Sequence, residues 1–188
     1  MSIPGGLSAG NFRPVAVQGF GDGYNSYPHS MAWFKGHLYV GTTRAVLAHR
    51  GRWRKMAGGV GWNSDMWPVK TPEGPFDFDL RAEIWRYSPT LAQWTRVYHA
   101  PLVTGADGFE VPRSIAFRAM LVFQGTGDTE PALYVPTMGS HQTPEATLLR
   151  SIDGEQFVEV SEPGLRFPEA YKPRGVRALI QFRGLMFT

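Results

Sequence analysis

Three short stretches of the chain end on a proline followed directly by a cation. They are "GYNSYP" before His29, "GFEVP" before Arg113 and "AYKP" before Arg174, with Arg177 three residues beyond the last. Cations brought to equivalent points by similar loops would converge on carboxylate, phosphate or sulfate groups. Arginine suits that task because its planar fork matches two oxygens at once. The competing reading is structural: these side chains lie along a sheet edge and pair with carboxylates of neighbouring loops, such as Glu110 or Glu169.

The same stretches carry Asp22, Tyr24, Asp107 and Glu110. Glycoside hydrolysis needs two placed carboxyls, or a tyrosine nucleophile with its activating base, and the spacing of these residues fixes neither geometry. The histidines His29, His37, His49, His99 and His141 are scattered, without the short paired spacing of a zinc site, so no metal is expected. No Gly-rich phosphate loop followed by Lys-Ser or Lys-Thr and no nucleophile elbow occurs, and no cofactor is expected either. "GDTEP", 127–131, reads as a turn with its acidic residues facing water. In "AHRGRWRKMAGGVGWNSDMWPVK", 48–70, His49, Arg50, Arg52, Arg54 and Lys55 alternate with Trp53, Trp62 and Trp67. Cations among aromatics can hold single-stranded nucleic acid. The plainer reading of "RGRWRKM" is an exposed hairpin with solvated cations, and the modest net charge of +3 argues against a nucleic-acid partner.

The elements that must carry these residues are strands. Of the 188 residues, 43% are hydrophobic and 19% charged, a globular composition long enough for a sizeable core. High Gly (22) and Pro (15), with 12 Phe, 7 Tyr and 6 Trp, favour short strands and turns over long helices, so the chain is expected to be all-β. Cysteine is absent, which removes disulfides and thiolate metal sites. The start "MSIPGGLSAG" has neither a basic nor an apolar signal region, and no run is long and apolar enough to span a membrane. A cytoplasmic location without membrane contact is the resulting expectation.

Two stretches repeat one pattern. "EIWRYSPTLAQWTRVY", 83–98, and "TLLRSIDGEQFVEV", 147–160, each place an apolar pair before an arginine, then a turn, then a Gln-aromatic pair, which predicts two β-hairpins. A second unit repeats as well. "PHSMAWFKGHLYVGT", 28–42, matches "PRSIAFRAMLVFQGT", 112–126, at its Pro, Ser and central apolar positions. "VRALIQFRGLMFT", 176–188, matches the first through Phe182-Arg183-Gly184 against Phe34-Lys35-Gly36. A four-stranded sheet cannot bury both faces alone, and stacking such sheets radially makes a β-propeller of four-stranded blades. The expected layout is a first blade at 28–101 with an inserted loop at 45–81, a second at 112–164 and the start of a third at 173–188. Two to two and a half blades make an incomplete ring. The expectation is therefore a fragment of a longer protein, with self-association through the incomplete blade.

"YSPTLAQW", 87–94, resembles the kelch-repeat segment in which a Tyr, a Pro-containing turn and a Trp close the outer hairpin, although the double glycine of kelch repeats is missing. "SIDGEQF", 151–157, is similar to the Asp-box turn of sialidase-type propellers, one residue short of that spacing. The Asp153 carboxylate is read as ordering its own turn. These resemblances imply a propeller in which first strands line a central channel and the loops entering them rim one mouth. His29, Arg113, Arg174 and Arg177 would then be the ligand-binding residues there. The implied function is a recognition scaffold for a protein partner, an anionic small molecule or a glycan. A sialidase-like glycan hydrolase, its site completed by blades absent from this sequence, is the alternative. Trp85 and Trp94 are expected to be largely buried in the outer hairpin.

Overall fold

The computed structural model describes residues 6, 8–60 and 69–188; Trp62 and Trp67 lie outside them. The described chain is mostly antiparallel β-structure with little helix. Strands β1 (Asn25–Phe34), β2 (His37–Arg44), β3 (Glu83–Ser88) and β4 (Gln93–His99) form one four-stranded sheet in sequence order. A short hairpin of β5 (Leu102–Thr104) and β6 (Glu110–Pro112) follows, where the sequence suggested only a loop. Strands β7 (Leu121–Phe123), β8 (Ala132–Pro136), β9 (Leu148–Ser151) and β10 (Val158–Glu159) make the second meander. Strands β11 (Ile180–Phe182) and β12 (Leu185–Phe187) pair by themselves.

Both expected outer hairpins are present, as β3–β4 and β9–β10. The gapless match between 28–42 and 112–126 does not hold: Leu121, not Ala116, takes the place of Ala32, and Pro112 belongs to the separate β5–β6 hairpin. The turn of the first unit falls at Lys35-Gly36, both in the left-handed region (φ 47° and 78°). In the second unit the chain runs on to Phe123 before turning, so Gln124, Gly125 and Thr126 lie in the turn rather than in a strand. Tyr134-Val135-Pro136-Thr137 is the counterpart of Tyr39-Val40-Gly41-Thr42. The hydrogen bonds prove it. Thr42 Oγ1 donates to the Glu83 carbonyl at 3.2 Å and accepts from the Glu83 N–H at 3.1 Å. Thr137 Oγ1 bonds Thr147 in the same two ways, at 3.3 and 2.8 Å.

Strand alternation sends successive side chains to opposite sheet faces. Ala32, Phe34, Tyr39 and Ile84 share the back of the first sheet and pack against Val122, Leu133, Val135 and Leu149 from the front of the second. The back of the second sheet, with Leu121, Phe123 and Tyr134, meets Leu179 and Met186 of the β11–β12 unit. Backbone links repeat in step with these faces. Phe117 N–H donates to Thr42 O and Val176 N–H to Thr137 O, while Thr43 bridges Ala116 and Met138 bridges Gly175.

The segment between β2 and β3 lies where the sequence placed it. It is not a hairpin, however: Val46–Met56 is the α-helix α1. Leu, Ala, Arg and Lys are good helix formers, Ala48 packs into a small cluster with Ala45 and Phe78, and Arg54 and Lys55 complement the C-terminal dipole. Trp85 and Trp94 are half-buried rather than enclosed. They sit on the front of the first sheet, where among the described residues no sheet covers them and Phe20 stacks on both, with ring centroids 5.1 and 4.6 Å away. Asp128 also departs from expectation. It does not face water but accepts from the Tyr134 hydroxyl at 2.6 Å and pairs with Arg150 at 2.5 Å.

Candidate functional site: a cationic cluster

Strand register decides which cations are equivalent. Ala32 pairs with Tyr39 in the first sheet, and Leu121 pairs with Tyr134, the counterpart of Tyr39, in the second. Counting back along the chain from Ala32 and Leu121 places His29 and Arg118 at the same position. In the third unit, Phe182 pairs with Leu185 across a Lys35-Gly36-like turn, as Phe34 pairs with His37, and the same count arrives at Arg177. The inter-sheet links agree, since Phe117 and Val176 each donate to the counterpart threonine carbonyl just before Arg118 and Arg177. The equivalent trio is therefore His29, Arg118 and Arg177.

These three side chains sense one another. Burial, and then the charges of Arg118 and Arg177, hold the His29 imidazole below its ordinary value. Burial, then Arg177, then Arg50 of α1, lower Arg118. Arg118 stays charged, as a guanidinium does in proteins. Its Nε is buried without a hydrogen-bond partner. His29 is exposed as a residue, but one side of its ring is covered: Nδ1 lies 2.6 Å from Thr43 Oγ1 and the ring stacks on Tyr27 at 5.2 Å. Among the described residues no carboxylate lies within salt-bridge distance of Arg50, Arg118 or Arg177. Like charges held together without a counter-ion raise the local potential and attract an anion.

The alignment on proline put Arg113 and Arg174 in this trio, and the register removes both. Arg113 is buried, and its donors are spent. Its Nε donates to Glu159 at 2.8 Å, and its Nη2 to Thr147 Oγ1 at 2.7 Å and to the Glu145 carbonyl at 3.2 Å. The ion-pairing reading holds for it, with Glu159 as partner instead of Glu110. Arg174 donates through Nη1 to the carbonyls of His141 and Thr143, and Glu169 pairs with Lys172. Arg118 was passed over because the gapless match set it against Phe34, the last residue of β1, instead of His29. The signal that could have found it is the Tyr-Val-x-Thr repeat, which forces the second unit to be longer before its turn.

Of the residues considered for glycan hydrolysis, Asp22 accepts from the Tyr24 N–H at 3.0 Å. Asp22 is also tied to Arg44 at 2.8 Å, and Asp107 orders its own turn by accepting from Phe109 N–H at 3.2 Å. Burial, then the Asp22 charge, push the Tyr24 phenol above its ordinary value, opposite to what a nucleophile needs. Among the described residues no three His, Asp or Glu side chains group as a metal would require. Asp153 accepts from Ser151 Oγ at 3.0 Å and from the Glu155 and Gln156 N–H groups at 2.8 Å each, so it holds its turn.

Neither a protein-family model nor a curated protein matches the chain.

Proposed function

We propose that the chain is a section of a β-propeller acting as a recognition scaffold, and that it binds an anionic small ligand among His29, Arg118 and Arg177. The observation that carries this reading is their equivalent place in three successive units: His29 lies in β1, and Arg118 and Arg177, ahead of β7 and β11, each follow a residue whose N–H donates to the counterpart threonine carbonyl. The propeller part is supported by meandering sheets that pack front to back through one repeated set of backbone links. The kelch-like stretch at 87–94 and the Asp-box-like stretch at 151–157 belong to the same reading. In a propeller the first strands line the channel, so the trio would stand at its mouth.

An oxyanion there would accept charge-assisted hydrogen bonds worth about 1.5–3 kcal/mol each. It would also favour protonated His29, so binding takes up a proton. Titration calorimetry with inorganic phosphate and with sulfate tests this. Arg118→Ala and Arg177→Ala should each weaken binding about tenfold or more, whereas Arg86→Ala, whose partner Glu155 is 2.6 Å away, should leave it unchanged. Affinity for sulfate, whose own charge is constant, should rise as pH falls from about 8 to about 5, through protonation of His29. Equal binding by the parent protein and Arg118→Ala would refute the site.

A further inference from the structure

We infer that the chain associates head to tail with a second copy of itself, the front of the first sheet of one molecule seating on the back of the β11–β12 unit of another. The interface is written twice within the chain already. The front of the second sheet covers the back of the first, and the front of the third unit covers the back of the second. Each junction uses the same strand positions and the same backbone links.

Two faces in this series are open. On the first sheet, Met31 and Trp33 occupy the positions that Met120 and Val122 use to cover Ala32 and Phe34. On the third unit, Ile180, Phe182 and Phe187 occupy the positions of Ala32, Phe34 and Tyr39, the back-face residues that receive such a cover. All five are between 46% and 61% exposed. The open faces are therefore the two halves of a contact that the molecule makes internally, and continuity with that contact names the occupant.

Coverage of the remaining surface agrees. The outer part of the first sheet's front, Trp85 and Trp94, is occupied by Phe20, and Trp94 Nε1 donates to the Val15 carbonyl at 2.7 Å. On the inner strands Val40 of β2 is already buried and the bare part is β1, with Met31 and Trp33, while the β11–β12 unit consists of inner strands alone. A front-to-back contact is heterologous, so it propagates into rings or open chains rather than stopping at a symmetric pair. It does not depend on an anion at the cationic cluster.

Sedimentation velocity on the full chain tests the inference, with circular dichroism to verify folding. The parent protein should gain mass with concentration beyond a dimer. Trp33→Lys closes one face and Phe182→Lys the other; both residues are exposed, so both variants should fold. Each variant alone should be monomeric, and an equimolar mixture should form a one-to-one dimer through the faces left intact. A parent protein that stays monomeric at every concentration overturns the inference. So does a mixture that fails to pair, or a single variant that still assembles, since both place the contact elsewhere.

Discussion

The Glu83 carboxylate is fully buried and its two oxygens are fully occupied. Oε2 accepts from Asn25 Nδ2 at 2.7 Å and from Trp85 Nε1 at 2.8 Å, while Oε1 accepts from Arg96 at 2.8 Å and faces buried Arg44 at 3.2 Å. Removing one partner of a buried pair strands the other, so Glu83→Ala should cost about 3–5 kcal/mol, read as a fall in the urea midpoint. The counterpart position in the second sheet is Thr147, and there Arg113 supplies the polar partner. A charge at Glu83 and an arginine at Arg113 thus solve the same local problem in two ways, which is why Arg113 is consumed by structure. Asp128 makes a different prediction. The Tyr134 hydroxyl, the Gly125 N–H and Arg150 hold its carboxyl below the ordinary value. A depressed folded-state pKa contributes stability that is complete above the unfolded value of 3.8 and is lost as pH falls through the folded value. Asp128→Asn should therefore lower stability at neutral pH and flatten the loss seen in acid, measured by denaturant midpoints along a pH series.

At the scale of elements, the junction between the first two sheets depends on one close approach. A Cβ added at Gly41 of β2 would meet Ser30 Oγ at 2.5 Å, Phe117 Cβ at 2.7 Å and the Phe117 carbonyl at 2.9 Å. Backbone and core atoms cannot yield, so Gly41→Ala should destabilise by about 1–3 kcal/mol through overpacking. Gly36 differs: an added Cβ finds open space, and only the φ of 78° opposes it, at a cost of about 1–2 kcal/mol. Combining Gly41→Ala with Ser30→Ala, which removes the Oγ that the new Cβ approaches most closely, should recover part of the first loss relative to additivity, whereas combining Gly36→Ala with Ser30→Ala should be additive. A thermal-melt cycle separates the two outcomes. The hairpins β3–β4 and β9–β10 were legible because alternation and turn residues are local signals. Helix α1 was not, because its weak amphipathic pattern reads equally as a hairpin. Burial of Ala48 against Ala45 and Phe78 is a tertiary contact that no local pattern announces.

At the scale of the whole molecule, Leu133 lies fully buried in the cluster shared by both four-stranded sheets. Leu133→Ala should cost about 2–5 kcal/mol, and because the cluster is shared the two sheets should lose stability together. All six tryptophans lie at 33–94, so their fluorescence reports the first sheet and the segment between β2 and β3, whereas far-ultraviolet dichroism reports both sheets. The two signals should keep coincident midpoints. Separate transitions would show that the sheets fold independently. The sequence by itself determined the β-rich composition, the two outer hairpins and the presence of paired turns at Lys35-Gly36 and Arg183-Gly184. These depend on residues a few positions apart, where alternation, proline and glycine act directly on the backbone. Tertiary structure alone decided which cations share a register. The second unit runs longer before its turn, which moves the equivalent of His29 from Arg113 to Arg118, and the pairing of Leu121 with Tyr134 fixes that length. The same pairing moved Arg113 into an ion pair with Glu159 and brought Arg118 to His29 and Arg177, because strand pairing joins residues by hydrogen bonds across the sheet, whatever their distance along the chain.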